Sequence, residues 1–294
     1  MSDEQKLHDP VLLDQALQLI APRAGEKYLD LTAGYGGHAA AFLSVTGNFQ
    51  EAVLVDRDAF AIANLQKFTK ADARLIHDSF KNATEQLISE GKKFDIIFMD
   101  LGVSSPQLDQ PDRGFSFNKS GPLDMRMDQK QSKTAYQIVN EYSETKLTEI
   151  FVSFGEEKRP RAKKIAQAIV NSRPIQTTDE LAELVSKYVW QKSRTKHPAT
   201  RVFQSIRIAV NDEIEEISHT ISQIHKLLAP GGRVGIISFH SLEDRLVKSY
   251  FNSDADLGLE SKFQILTKKP IAGDIYDVHN PRARSAKLRV ALKK

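Results

Sequence analysis

The chain has 294 residues, 40% apolar and 27% charged, enough for one large domain or two smaller ones with a full core. It has no cysteine, which excludes disulfides, thiolate-bound zinc and a thiol nucleophile. No apolar run approaches the about 18 residues of a membrane span, and MSDEQKLHDPVLL at the start lacks a signal-peptide core, so a cytoplasmic protein with no membrane partner is expected. The net charge of +3 is unevenly spread. Residues 151–211 hold twelve Lys or Arg against five acids, and residues 262–294 hold nine against two. Basic segments on a near-neutral chain point either to a polyanion held at one face or to solvated helix faces.

In chain order, Val11 to Ile20 reads as a short amphipathic helix stopped at Pro22. Tyr28 to Leu31 is a strand that runs into Thr32-Ala33-Gly34-Tyr35-Gly36-Gly37-His38, and a helix starts over Ala39 to Leu43. Glycines between a strand and a helix allow a tight turn and close approach of a ligand. Ala52 to Asp56 is a second strand ending in an acid, and Phe60 to Lys70 a helix. Arg74 to His77 is a third strand, Ala83 to Gly91 a helix, and Phe94 to Asp100 a fourth strand, whose Phe94, Ile96, Ile97, Phe98 and Met99 suit burial on both faces and which ends on an acid. The alternation predicts a parallel, doubly wound α/β sheet with its ligand site at the strands' carboxyl ends.

The stretch after Asp100 is rich in Gly, Ser, Asp and Pro, yet carries Leu108, Phe115, Phe117, Leu123, Met125 and Met127. A long irregular loop is expected there, with no early helix. Retained aromatics argue for a functional or pinned loop over a disordered one. Helical periodicity follows over Ala135 to Phe154, Arg161 to Ser172, Asp179 to Trp190 and Arg201 to Leu228. The sheet resumes at Gly232 to Phe239, and Ser241 is the expected cap for the next helix. Phe263 to Leu266 and Ala286 to Leu292 read as an antiparallel pair closing the sheet edge. The expected organisation is a sheet domain in two parts, residues 1–110 and 213–294, around an inserted all-helical domain, residues 111–212.

Gly34-x-Gly36-x-x-Ala39 formally satisfies the dinucleotide fingerprint, and Asp56 stands where a ribose-binding acid belongs. A nicotinamide dehydrogenase is therefore one reading. Asp30, just before the glycines, favours S-adenosylmethionine instead, since a carboxylate there meets the methionine ammonium and repels a pyrophosphate. Asp56 then accepts from ribose hydroxyls, Phe80 offers adenine an apolar surface, and Asp78 or nearby backbone reads its amine.

The blocks Asp30-Leu-Thr-Ala-Gly-Tyr-Gly-Gly-His38, Asp100-Leu-Gly-Val-Ser-Ser-Pro-Gln107, Arg113-Gly-Phe-Ser-Phe117 and Leu123-Asp-Met-Arg-Met-Asp128 carry a resemblance. So do His197-Pro-Ala-Thr-Arg201, Arg207-Ile-Ala-Val-Asn-Asp-Glu213, Ser238-Phe-His-Ser-Leu-Glu-Asp244 and the segment from Asn280 to Arg289. From His8 to Arg289 the chain resembles the RsmH (MraW) family. That resemblance implies a Rossmann-like methyltransferase sheet with an inserted helical domain. It also implies S-adenosylmethionine as cofactor and N4 of a cytidine, cytidine 1402, in 16S ribosomal RNA of the small subunit's decoding region as target.

By the resemblance, Gly36, Gly37, His38, Asp56, Phe80, Asp100 and Gln107 line the cofactor, beside the Asp30 and Gly34 read from the pattern. The chain departs from the family in two places. Pro160 stands where an apolar or aromatic residue is expected, which bears on the local helix start. Cysteines are lacking before Asn280, so no metal is expected. An amine nitrogen conjugated into cytosine needs acceptors on its N–H bonds, and Asp100 with Ser104 or Ser105 is the predicted set. Phe115 and Phe117 are candidates to stack on the target base or its neighbour, and equally suited to a core. Arg113 and Arg126 are candidates for phosphates, as are Arg194, Lys196, His197 and Arg201 of the helical insertion. A ribosome-assembly protein with an inactive site is a third reading, disfavoured by the intact glycines and acids.

Overall fold

The computed structural model describes residues 10–188 and 197–294. It opens with helix α1 (Leu13–Ile20), β1 (Tyr28–Asp30), α2 (Gly37–Thr46), β2 (Val53–Asp56), α3 (Ala59–Thr69), β3 (Arg74–His77), α4 (Phe80–Ser89) and β4 (Phe94–Asp100). Helices follow: α5 (Ser105–Asp109), α6 (Ala135–Glu141), α7 (Glu144–Ser153), α8 (Arg159–Asn171), α9 (Thr178–Tyr188), α10 (Thr200–Asn211) and α11 (Glu213–Leu227). The chain ends with β5 (Leu228–Ser238), α12 (Ser241–Ala255), β6 (Phe263–Ile265), β7 (Ile271–Ala272), α13 (Gly273–Tyr276) and β8 (Lys287–Lys293). It divides into two compact units, Met1–Gly102 with Ile214–Lys294, and Val103–Glu213.

The first unit is one eight-stranded sheet in the order β3-β2-β1-β4-β5-β8-β6, with β7 paired to β8. Strands β1 to β5 are parallel, and β8 runs antiparallel to β5, β6 and β7. Alternate residues feed two cores, as the pleat dictates. Leu29, Val55, Ile97, Met99 and Ile236 pack with α4, α11 and α12 residues on one face. Tyr28, Leu54, Ile96, Phe98 and Ile237 pack with α1, α2 and α3 residues on the other. Both faces are covered, which is why Phe94–Met99 shows no polar alternation. Strand order reverses between β1 and β4, the switch point where such sheets bind ligands.

The second unit is helical around one core that takes in Phe115, Leu123, Met125 and Met127 from the long loop. Three departures from the sequence reading have local causes. The helix expected over Ala135 to Phe154 is two, because Ser143 accepts from the Lys146 N–H and caps α7. The helix expected over Arg201 to Leu228 breaks at Asp212, which takes a left-handed φ of +50°. The loop after Asp100 does contain a helix, α5, started by a reciprocal cap between Ser104 and Gln107 with Pro106 in its first turn. Pro160 is harmless for the same reason, lying in the first turn of α8, where its missing N–H has no partner to lose. In the first unit, the cap of α12 is His240 rather than Ser241, its ring accepting from the Glu243 N–H at 3.4 Å. Trp190, at the end of the helix expected from Asp179, lies outside the described residues.

Candidate active site

Three parallel strands end on acids. Asp30 closes β1, Asp56 closes β2 and Asp100 closes β4, all at the carboxyl edge of the sheet. Asp30 accepts from Tyr28 Oη at 2.8 Å and from the Thr32 N–H at 3.1 Å. The Thr32 hydroxyl in turn accepts from the Asp100 N–H at 2.6 Å. Asp56 accepts from the N–H groups of Gly34 and Asp58, both at 2.8 Å. His38, 7% exposed, has Nε2 3.0 Å from the Val11 carbonyl and Nδ1 3.7 Å from Asp100 Oδ2. The histidine therefore ties the start of α1 to the end of β4.

These acids sit where ionisation is penalised. Burial pushes Asp30 up to about 7, against the opposing hydrogen bonds from Tyr28 and Thr32. Burial also raises Asp100 well above the usual carboxylate range, and the charges of Asp30 and Glu243 add to it. Asp56 is raised by burial and held back by the bonds from Asp58 and Gly34. The Oδ1 of Asp100 is buried with no hydrogen-bond partner. An orphaned acceptor next to a second acid suits a ligand that brings N–H groups and positive charge. S-adenosylmethionine, with its ammonium and sulfonium, fits that donor set.

The glycine run divides in role. Gly34 has φ +53° and nothing nearer to a built Cβ than the Thr32 carbonyl at 3.9 Å, so its face is open. Gly36, with φ +81°, is closed, because a Cβ there would lie 2.4 Å from the Phe68 ring. At Gly37 a Cβ would lie 2.6 Å from Pro10. Of the two roles expected of these glycines, Gly34 leaves room for a ligand, and at Gly36 and Gly37 the room is taken by Phe68 and Pro10.

Phe80 is the first residue of α4, whose cap is Ser79. It is half-buried, and the Arg57 guanidinium lies 5.5 Å from its ring centre. Arg57 is itself paired with Glu216 of α11. Asp78 accepts from the Ser79 N–H at 2.7 Å and from Asn82 Nδ2 at 2.8 Å, so it shapes the turn before Phe80.

The helical unit holds the remaining predicted residues. The Ser104 hydroxyl is used as the α5 cap and Gln107 Oε1 accepts from the Ser104 N–H at 3.0 Å. The Ser105 hydroxyl is buried without a hydrogen-bond partner. Arg113 and Phe115 do not fit an RNA-facing role, since each is 6% exposed. Arg113 donates to the carbonyls of Arg126 and Met127 at 3.0 and 3.2 Å, and Phe115 joins the core. Arg126 is likewise spent internally, on Asp124 and on the carbonyls of Gln129 and Gln131. Their guanidinium groups hold the loop, which leaves little to offer a phosphate.

Phe117 is packed less deeply, its ring 4.5 Å from His197 and 4.8 Å from Phe203. With Asp179, Glu183 and Lys187, Phe117 and His197 line a cavity of about 380 Å³. The two acids in its wall disfavour a phosphate there. Arg201 is exposed and lies 3.8 Å from Glu157. Arg194 and Lys196 lie outside the described residues.

Three site residues were not singled out from sequence. Tyr28 stands two residues before Asp30, so strand periodicity puts both on one face. Thr32 lies between Asp30 and Gly34 and carries no periodic signal. Arg57 follows Asp56 and has no separate signal.

The model of the MraW methylase family matches residues 5–294. Ribosomal RNA small subunit methyltransferase H of a Synechocystis species is 46% identical over 97% of this chain and 93% of its own length. The protein of that name from Halothermothrix orenii is 42% identical over 97% of both chains. Among solved structures, TrmN from Thermus thermophilus is a distant likeness of fold, with a TM-score of 0.45 at 11% identity over 96% of this chain and 48% of its own. Matched along nearly its whole length, the chain belongs to the MraW methylase family.

Proposed function

We propose that the chain transfers a methyl group to N4 of a cytidine, cytidine 1402 by resemblance, in 16S RNA of the small ribosomal subunit. The observation that carries this reading is the buried, unpartnered Oδ1 of Asp100 at the carboxyl edge. The relatives' printed name, a small-subunit ribosomal RNA methyltransferase, supports the substrate. S-adenosylmethionine supplies an electrophilic methyl on a sulfonium. The chain supplies positions and charge. Asp56 accepts from the ribose hydroxyls and Phe80 faces adenine. Asp30 meets the ammonium, directly or through water, and Gly34 leaves room for it. The loop from Gly36 to His38 supports that end, and Gln107 is kept as a cofactor contact by resemblance.

Asp100 is proposed to accept an N–H of the target amine. That contact draws the nitrogen toward tetrahedral geometry and frees its lone pair from the ring. Transfer would form the N–C bond as the S–C bond breaks with its electron pair left on sulfur, and the methylated nitrogen would pass one proton to water. Ser105, with its hydroxyl unpartnered, is a second proposed acceptor, and Ser104 acts through the cap it makes. For RNA, Phe117, His197 and Arg201 remain as proposed contacts.

Beside a sulfonium and an ammonium, the acids would repel one another less and Asp30 would return to its carboxylate. Cofactor binding is therefore expected to release a proton below about pH 7, where the free protein still holds it. Affinity then rises with pH through that value and levels above it. Calorimetry in two buffers of different ionisation enthalpy measures the release. Asp30→Asn is expected to lower the proton count, and an unchanged count in that variant contradicts the assignment.

In the free protein the sign reverses. An acid whose folded pKa is raised makes the fold lose stability as pH climbs from the unfolded value of about 4 to about 7. Urea midpoints across that window check it.

The function itself is tested with labelled cofactor and purified subunits lacking the modification. Label is expected in RNA of the small subunit and not of the large one. Label in the large subunit, or in neither, overturns the proposed substrate.

A further inference from the structure

We propose that the segment from Ile275 to Arg284, on the sheet unit, is a platform for the single-stranded RNA flanking the target base. The inference rests on the RNA-methyltransferase reading and adds a surface to it. Its starting point is topology. β7 ends at Ala272, which pairs with Lys287; Lys287 pairs with Ser238 of β5; and Ile237 pairs with Asp100 of β4. The chain between β7 and β8 therefore leaves the sheet at the same carboxyl edge as Asp100. Two strand spacings, about 10 Å, separate β8 from β4.

The segment is ordered by its own bonds. Gly273 N–H donates to the Ala286 carbonyl at 2.9 Å, and Asp277 N–H donates to the Gly273 carbonyl at 2.9 Å. A Cβ at Gly273 would lie 1.9 Å from the Ala283 carbonyl, so the two ends of the cap are pressed together. Asp277 Oδ2 accepts from the Leu12 N–H at 2.9 Å. Val11, the preceding residue, is the backbone partner of His38, which approaches Asp100. The platform is thus fixed to the same small network that holds the site.

An ordered cap had the option of turning its apolar side chains inward. This one exposes Ile275 at 67%, Tyr276 at 54% and Val278 at 63%. Among the described residues, three of the ten exposed large hydrophobics fall on this one turn, which makes a patch rather than scatter. Arg282 and Arg284 stand exposed beside it in the short helix Pro281–Ser285, and the whole stretch 262–294 carries nine basic residues against two acids. Aromatic and aliphatic faces flanked by guanidinium groups are the chemistry of single-stranded nucleic-acid binding, bases stacking while phosphates pair. A target base taken out of its stack leaves such neighbours exposed.

The test compares Tyr276→Ala and Arg284→Glu with the parent chain in binding of a 16S RNA fragment across a salt series. It also compares KM for unmodified small subunits. Each variant is expected to raise KM for the subunit by about tenfold. Affinity for S-adenosylmethionine, read by calorimetry, stays unchanged and reports that the variants are folded. Arg284→Glu also lowers the salt dependence of RNA binding.

If the parent chain methylates subunits and both variants match it in KM and salt slope, the platform is overturned and the function stands. If the parent chain neither binds RNA nor methylates subunits, both fall. A patch that serves a second copy of this chain would show as a dimer in sedimentation that Tyr276→Ala breaks with RNA binding intact, and that result also overturns the platform.

Discussion

Replacing Asp100 with Ala is expected to lower methyl transfer by about 100-fold or more, the scale that misplacing a reacting group costs. The loss should come in turnover with the saturated enzyme, because the proposed contact is to the amine. The fold should survive it. In the free protein Asp100 is a buried acid with one unpaired oxygen, raised by burial and by the charges of Asp30 and Glu243. Removing it also removes that repulsion. Thermal unfolding at neutral pH is expected to show a midpoint no lower than the parent's. Full activity in Asp100→Ala, measured at saturating cofactor and substrate, would take Asp100 out of the site. A collapse of the midpoint would mean that its role is structural.

The second large effect is on stability and lies in the helical unit. Asn211 is 2% exposed at the end of α10. Its Oδ1 accepts from the Met127 N–H at 2.9 Å, and its Nδ2 donates to the carbonyls of Met125 and Arg207 at 2.8 and 2.9 Å. Met125 is left-handed, with φ +58°, so no regular ladder can serve its neighbours. The amide does that work and pins Leu123–Met127 into the core. Asn211→Ala leaves buried backbone groups unpaired at about 1–3 kcal/mol each, for a total of about 3 kcal/mol or more. Urea unfolding measures it. A loss below about 1 kcal/mol would mean that the loop is held by its apolar residues alone.

The sheet was legible because its signals are periodic and local: apolar runs ending in Asp30, Asp56 and Asp100, each followed by a turn. The doubly wound arrangement followed from alternation, and the structure places the antiparallel pair of β6 and β8 at the sheet edge. What escaped was set by single residues. The break at Asp212 depends on one left-handed residue, which no periodicity reveals. Helix α5 was hidden because Ser, Pro and Asp read as turn formers, although Ser104-x-x-Gln107 is a capping signature.

At the site, the acids were visible as strand ends, and their hydrogen-bond partners were not. A link such as Thr32 to Asp100 crosses between strands that sequence does not align. The arginines were misjudged for a physical reason. Arg113 and Arg126 sit in a segment with few regular hydrogen bonds, and their guanidinium groups serve its backbone carbonyls. A cation in an aromatic-bearing loop looks alike whether it faces RNA or its own backbone.

At the centre stands a methyl delivered to an exocyclic amine held by Asp100. The most direct measurement of that is the chemical identity of the product. Small subunits lacking the modification are incubated with the protein and methyl-labelled cofactor, and the RNA is digested to nucleosides and resolved by mass spectrometry. Label is expected in N4-methylcytidine and lost with Asp100→Ala. Label in a ring-carbon methylcytidine, in a methylated guanosine or in a ribose methyl would contradict it.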